Sequence, residues 1–194
     1  TFEASMIAEK EYEHENFYPL YLFKNDAGLI SNKFFPGVAI LQAPFFGLAC
    51  FSSWVIGEPI DGYSRIFQLW FYIGSIVYTL LGLYFFSKSF KLYFPDDQRI
   101  LNWIIPMSYL ATPLLFYSME AHSFGHLYSF FLFSFFMYSV LQLKEGFTIQ
   151  KSMVLGAVLG LIFLVRPTNV LVVFAIPFLL KTFDDLRLFF KQLF

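Results

Sequence analysis

The apolar positions of this chain come in long blocks rather than in alternating or one-sided patterns. Residues 63–87, 100–118 and 124–143 each supply the roughly 17–25 apolar residues that a membrane-crossing helix needs. Pro106 and Pro113 fall inside the second block, and membrane helices tolerate proline. Residues 152–180 are apolar too, but Arg166-Pro167 divides them into 152–165 and 168–180. Each half is short for a full crossing at about 1.5 Å per residue, so the pattern predicts two short helices meeting at a break. A further block, 34–56, is apolar on all faces yet contains Pro36, Gly37, Pro44 and Gly47. It reads either as another span or as a broken helix lying at the membrane surface.

Composition sharpens this into a class. The chain is 58% hydrophobic and 14% charged, with a mean hydropathy of +0.61. Soluble domains carry about 25% charged residues, so this chain could not cover its own surface in water. The expected fold is all-α, a polytopic transmembrane helical bundle. Net charge is -1, which offers nothing to a nucleic-acid partner. Cys50 is the single cysteine, so no internal disulfide forms. The chain begins at Thr1 and stops within an apolar pattern, and it reads as a piece of a longer protein.

Charge then orients the bundle. Segments 88–99, 144–151 and those after 180 hold eight of the thirteen basic residues, which places them on the cytoplasmic side. Residues 1–33 differ in kind, with six acidic residues against three lysines and a turn signal at Asn25-Asp26-Ala27-Gly28. They form a polar segment outside the membrane. In the last segment, 184–194, Leu186, Phe189, Phe190 and Leu193 share one helical face, which predicts a cytoplasmic interfacial helix.

Few residues carry candidate chemistry. Arg166 is a guanidinium at a break between apolar segments, costly there unless it meets an anion or water. Pro167 suits the first position of the next helix, whose free N–H groups and positive dipole end would lie beside Arg166. That corner suits a phosphate; the plain alternative is an arginine snorkelling to the outer interface. Glu120 and His122 sit in the outer loop between two spans, where polar residues also simply mark a helix entrance. His126 lies four residues beyond His122 on the same helical face, but no third ligand completes a metal site. Glu58 and Asp61 lie in a Gly57, Pro59, Gly62 turn, where carboxylates are usually solvated.

The order of these features resembles the GT-C superfamily of membrane glycosyltransferases. The closest likeness is to its bacterial branch related to protein O-mannosyltransferases and the lipid A aminoarabinose transferase. The residues that carry the likeness are the run Ser31-Asn32-Lys33-Phe34-Phe35-Pro36-Gly37, the loop Ile56-Gly57-Glu58-Pro59-Ile60-Asp61-Gly62, and Leu159-Gly160 through Val165-Arg166-Pro167-Thr168-Asn169. The resemblance implies that residues 1–62 are one outer, periplasmic loop with a juxtamembrane helix at 34–56. Residues 63–183 would then be the transmembrane bundle of a bacterial cytoplasmic (inner) membrane protein, with a further span expected before Thr1. It implies transfer of a sugar from a polyprenyl-phosphate-linked donor to a protein or glycolipid acceptor at the outer face. Arg166, Thr168 and Asn169 would hold the donor phosphate, and Glu3, Glu120 and His122 would be the catalytic candidates. No resident cofactor is implied, and a divalent metal is left open. A different class of function, a non-catalytic membrane subunit or transporter, fits the same spans with Arg166 as an anchor.

Overall fold

The computed structural model describes residues 22–24, 30–32, 35–95, 98–120, 124–146, 148–180, 182, 185–187 and 189. The chain divides into two compact units, 1–35 and 36–194. In the first, strands β1 (Leu22–Lys24) and β2 (Ile30–Asn32) pair antiparallel, with Phe23 opposite Ser31. This short hairpin flanks the Asn-Asp-Ala-Gly turn signal and is an exception to the all-helical expectation.

The second unit is helical. Its elements are α1 (Gly37–Ile56), α2 (Arg65–Tyr93), α3 (Gln98–Leu110), α4 (Leu114–Met119), α5 (Gly125–Glu145) and α6 (Ile149–Val165). A 3-10 helix (Pro167–Ala175) and α7 (Ile176–Leu180) follow. Three helices, α1, α2 and α5, are long and apolar enough to cross a membrane. In the most apolar stretches of α1 and α2 only 22% of residues are buried, against 61% in α5. Their outward faces therefore need an apolar surrounding: Trp54 of α1 is 71% exposed and Leu80 of α2 is 60% exposed.

α5 is the central helix. Leu127, Tyr128, Leu132, Phe136 and Val140 are fully buried on it, and Leu155, Val158, Ile162 and Val165 of α6 complete the core. Its serines cost little, because Ser129 Oγ donates to Gly125 O and Ser139 Oγ to Phe135 O, each at 2.8 Å. The aromatic pairs Tyr78–Tyr128 and Phe85–Phe135 show that α2 and α5 run parallel. Tyr78 lies thirteen positions into α2 whereas Tyr128 lies three into α5, so the start of α2 overhangs that of α5. α1 packs antiparallel on that overhang, since its Gln42 meets Phe71 and Tyr128 while Phe46 meets Phe67 and Phe71.

Several expectations change here. The 34–56 block is not broken: α1 is continuous, with Pro44 inside it and Pro36 and Gly37 forming its start. Residues 100–118 are not one helix, because Pro113 offers no N–H and disfavours helical geometry at Thr112. The chain breaks between α3 and α4, and Thr112 Oγ1 bridges the gap by donating to Ser108 O (2.6 Å) and accepting from Leu114 N (3.3 Å). Pro106, by contrast, is accommodated within α3. The break at Arg166 is as expected, but the second half begins as a 3-10 helix. Pro177 cannot donate to Val173 O, and Ile176 N–H takes that carbonyl instead, which is the tighter pattern. Of segment 184–194, residues 185–187 are helical and Phe189 is 6% exposed in the core, so its described part docks on the bundle.

Candidate functional site

Arg166 stands where α6 ends and the 3-10 helix begins, in extended geometry, as the cap of both. Its N–H donates to Ile162 O (3.1 Å) and its C=O accepts from Asn169 N–H (2.9 Å), while its side chain is exposed. Pro167 takes the first helical position, as its fixed φ favours.

Two further helices begin at this corner. α1 starts against the end of α6 so closely that a Cβ on Gly37 would run into the backbone of Leu164 and Val165. α5 starts at Gly125, where a Cβ would lie 3.4 Å from Val165 Cγ1, 3.6 Å from Arg166 Nε and 3.8 Å from Val38 Cγ2. Three helix N-termini, those of α1, α5 and the 3-10 helix, thus meet at the end of α6, with the Arg166 side chain against the start of α5. No side chain caps any of them. First-turn N–H groups lack partners within their own helix and carry the positive end of its dipole. The C-terminus of α6 offsets part of that field.

His126, on the first turn of α5, brings its Nε2 to 3.4 Å from Arg166 Nη2. A guanidinium only donates, so this contact uses the lone pair of a neutral imidazole. The ring stacks on Tyr117 of α4, with centroids 4.7 Å apart and planes inclined by 27°. Asn169 Nδ2 donates to Ser129 Oγ at 2.8 Å, tying the 3-10 helix to α5. Below the corner, the Gln42 amide donates to Phe71 O (3.3 Å) and to the Tyr128 hydroxyl, pinning α1 in place.

The expected site residues are therefore distributed unevenly. Arg166, Thr168 and Asn169 lie together, with Thr168 exposed and the Asn169 amide nitrogen committed to Ser129. Glu120 caps the C-terminus of α4, its N–H donating to Phe116 O (2.8 Å), and its side chain is exposed. No ion pair joins it to Arg166, which makes none with any described residue. Glu3 and His122 lie outside the described residues. Asp61 serves the turn into α2, its Oδ1 accepting from Tyr63 N–H (2.9 Å) and Ser64 N–H (2.8 Å), and these bonds hold its carboxyl below the usual range. Among the described residues no group of three His, Cys, Asp or Glu side chains could hold a metal.

Sequence reasoning missed His126 as a partner of Arg166, the Tyr117 stack, and the start of α1. The forty residues between His126 and Arg166 leave no local signal, although a histidine opening an apolar run was visible. A scan against protein-family models, a search of curated proteins and a search of solved structures each found no match.

Proposed function

We propose that this chain is part of a multi-pass, GT-C-like glycosyltransferase of a bacterial cytoplasmic membrane, and that the Arg166 corner holds the phosphate of a polyprenyl-phosphate-linked sugar. The observation that carries this is the meeting of three uncapped helix starts at the end of α6, where Arg166 has no described acidic partner. Such a corner concentrates positive potential that an anion relieves. In the reaction, an acceptor hydroxyl oxygen attacks the anomeric carbon as the bond from that carbon to the phosphate oxygen breaks. A carboxylate takes the hydroxyl proton, with Glu120 and Glu3 the candidates. The guanidinium and the N–H groups stabilise the departing polyprenyl phosphate where its charge develops.

The path of α1 supports its role as a juxtamembrane helix. It begins level with the start of α5 and leaves along the overhang of α2 instead of descending beside α5. The transporter reading draws on the discontinuous α6–3-10 pair, but transporter breaks sit near the middle of the bilayer. Here the break lies beside the first residue of α5, level with the first third of α2.

The test is the affinity of full-length protein in nanodiscs for a short-chain prenyl phosphate. A lost charge-assisted hydrogen bond of about 1.5–3 kcal/mol means roughly tenfold to hundredfold weaker binding in Arg166→Ala. Arg166→Lys keeps the charge but loses the forked donor geometry, so its affinity falls between. Unchanged affinity with reduced thermal stability in both variants would make Arg166 a structural anchor and end this reading.

A further inference from the structure

The end of the bundle opposite Arg166 contains a crevice of about 330 Å³ between α2, α5 and the 3-10/α7 stretch. Its walls are hydrocarbon, with Phe86 and Phe90 from α2, Leu141 from α5, and Ala175 and Phe178 beyond the break. The Ser89 hydroxyl at its side is already satisfied, its Oγ lying 2.8 Å from Phe85 O and 3.4 Å from Ser134 O. Tyr93 closes one end by donating its hydroxyl to Phe178 O at 3.0 Å. Water has little to bond here, and apolar cavities of this kind stay dry and take apolar guests. The volume lies at the lower end of the range for ligand pockets, about 300–1,000 Å³.

What surrounds the crevice narrows the guest. Its mouth continues into the most exposed apolar surface of the 3-10/α7 stretch, where Phe174 is 72% and Phe178 77% exposed. In a bilayer that surface faces acyl chains. The same end carries exposed Lys88, Lys91, Arg99 and Arg187, and its segments 88–99, 144–151 and 181–194 hold eight basic residues against five acidic ones. An apolar slot beside a cationic rim matches a lipid with an anionic headgroup.

We propose that this crevice binds one acyl chain of an anionic phospholipid whose headgroup lies among the cations at this end. The inference rests on the membrane reading of α2 and α5 and is independent of the assignment of Arg166. The experiment is native mass spectrometry of the full chain in detergent, delipidated and then exposed to phosphatidylglycerol or phosphatidylcholine. One phosphatidylglycerol is retained, in preference to phosphatidylcholine. Ala175→Phe fills the crevice and abolishes the adduct, and Ala175→Leu does so in part if the larger ring lowers thermal stability. Lys88→Gln with Lys91→Gln lowers the preference for phosphatidylglycerol by roughly fivefold per charge while a lipid still binds. Equal retention of both lipids, an adduct undiminished in a stable Ala175→Phe or Ala175→Leu protein, or a dimer in place of the lipid adduct would each overturn the proposal.

Discussion

The two ends of the bundle handle charge in opposite ways. At the end away from Arg166, Lys91 lies in the last turn of α2, and Lys151 reaches across to the last turn of α5. Lys151 Nζ donates to Gln142 O (2.9 Å) and Gly146 O (2.8 Å), satisfying the closing carbonyls of α5. The helix that begins there, α6, is capped by Thr148, whose Oγ1 accepts from Lys151 N–H at 3.3 Å. At the other end three helix starts are uncapped, and Arg166, which the C-terminus of α6 favours, also lies beside helix starts whose dipoles repel it. An arrangement that is locally self-sufficient explains itself by stability. One that gathers like-signed potential invites a ligand, and this contrast is why the reading of function rests on the Arg166 end.

The largest expected effect tests whether chemistry belongs to that end. Glu120→Gln is expected to lower sugar-transfer turnover by about 10²–10⁴, the usual contribution of a general base, with prenyl phosphate affinity unchanged. Lys91→Gln, at the opposite end, leaves turnover as it was. Full activity in the Glu120 variant would move the base to another carboxylate, with Glu3 next in line.

A second comparison uses two glycines. Gly37 packs against the backbone of Leu164 and Val165, whereas a Cβ on Gly146 meets nothing within 4 Å. Gly146 has φ of 166°, an extended geometry open to any residue. Gly37→Val is expected to cost about 1–3 kcal/mol through overpacking and to weaken prenyl phosphate binding by displacing the start of α1. Gly146→Ala changes neither thermal unfolding nor binding. Equal behaviour of the two variants would show that the close approach of α1 to α6 does not matter.

These glycines also show how much the sequence disclosed. The break at Arg166-Pro167 was legible because proline fixes its own φ and lacks an N–H, both local facts. Pro36-Gly37 was legible as an interruption but not as a helix start, since that role depends on the backbone of α6 arriving alongside. Pro106 and Pro113 look alike in an apolar run; the difference lies in Thr112, whose hydroxyl serves both sides of the break at Pro113. The contact of His126 with Arg166 follows from the register of α5 against α6, which no spacing in the chain announces.

A smaller effect is expected at the well-capped end. Lys151→Gln removes the charge from the last carbonyls of α5, a change worth about 0.3–1 kcal/mol for a cation at a helix C-terminus. Thermal unfolding in nanodiscs at low and high salt measures it, with salt narrowing the gap between wild type and variant. A variant as stable as wild type at both salts would mean that the carbonyl contacts of Lys151 contribute nothing.

The smallest effect sharpens the contrast within the Arg166 half itself. The turn into α2 supplies its own anion: Gly57 and Gly62 adopt left-handed φ of 80° and 78°, and the Asp61 carboxylate between them accepts two backbone N–H bonds. Those bonds favour the ionised form and hold Asp61 below its ordinary value of 3.8. A group depressed in the folded state contributes stability that is complete above the unfolded value and is lost as pH falls through the folded one. Wild type is therefore expected to lose stability on acidification below about pH 4 slightly more than Asp61→Asn, which keeps an acceptor oxygen but does not titrate. The difference is small because Asp61 is exposed, and solvent screens it. Thermal midpoints of the two proteins across the acid range read it directly, since every other carboxylate titrates in both and cancels in the difference. Curves that stay parallel down to the lowest pH would show that the carboxylate is a bystander and that the two glycines alone shape the turn.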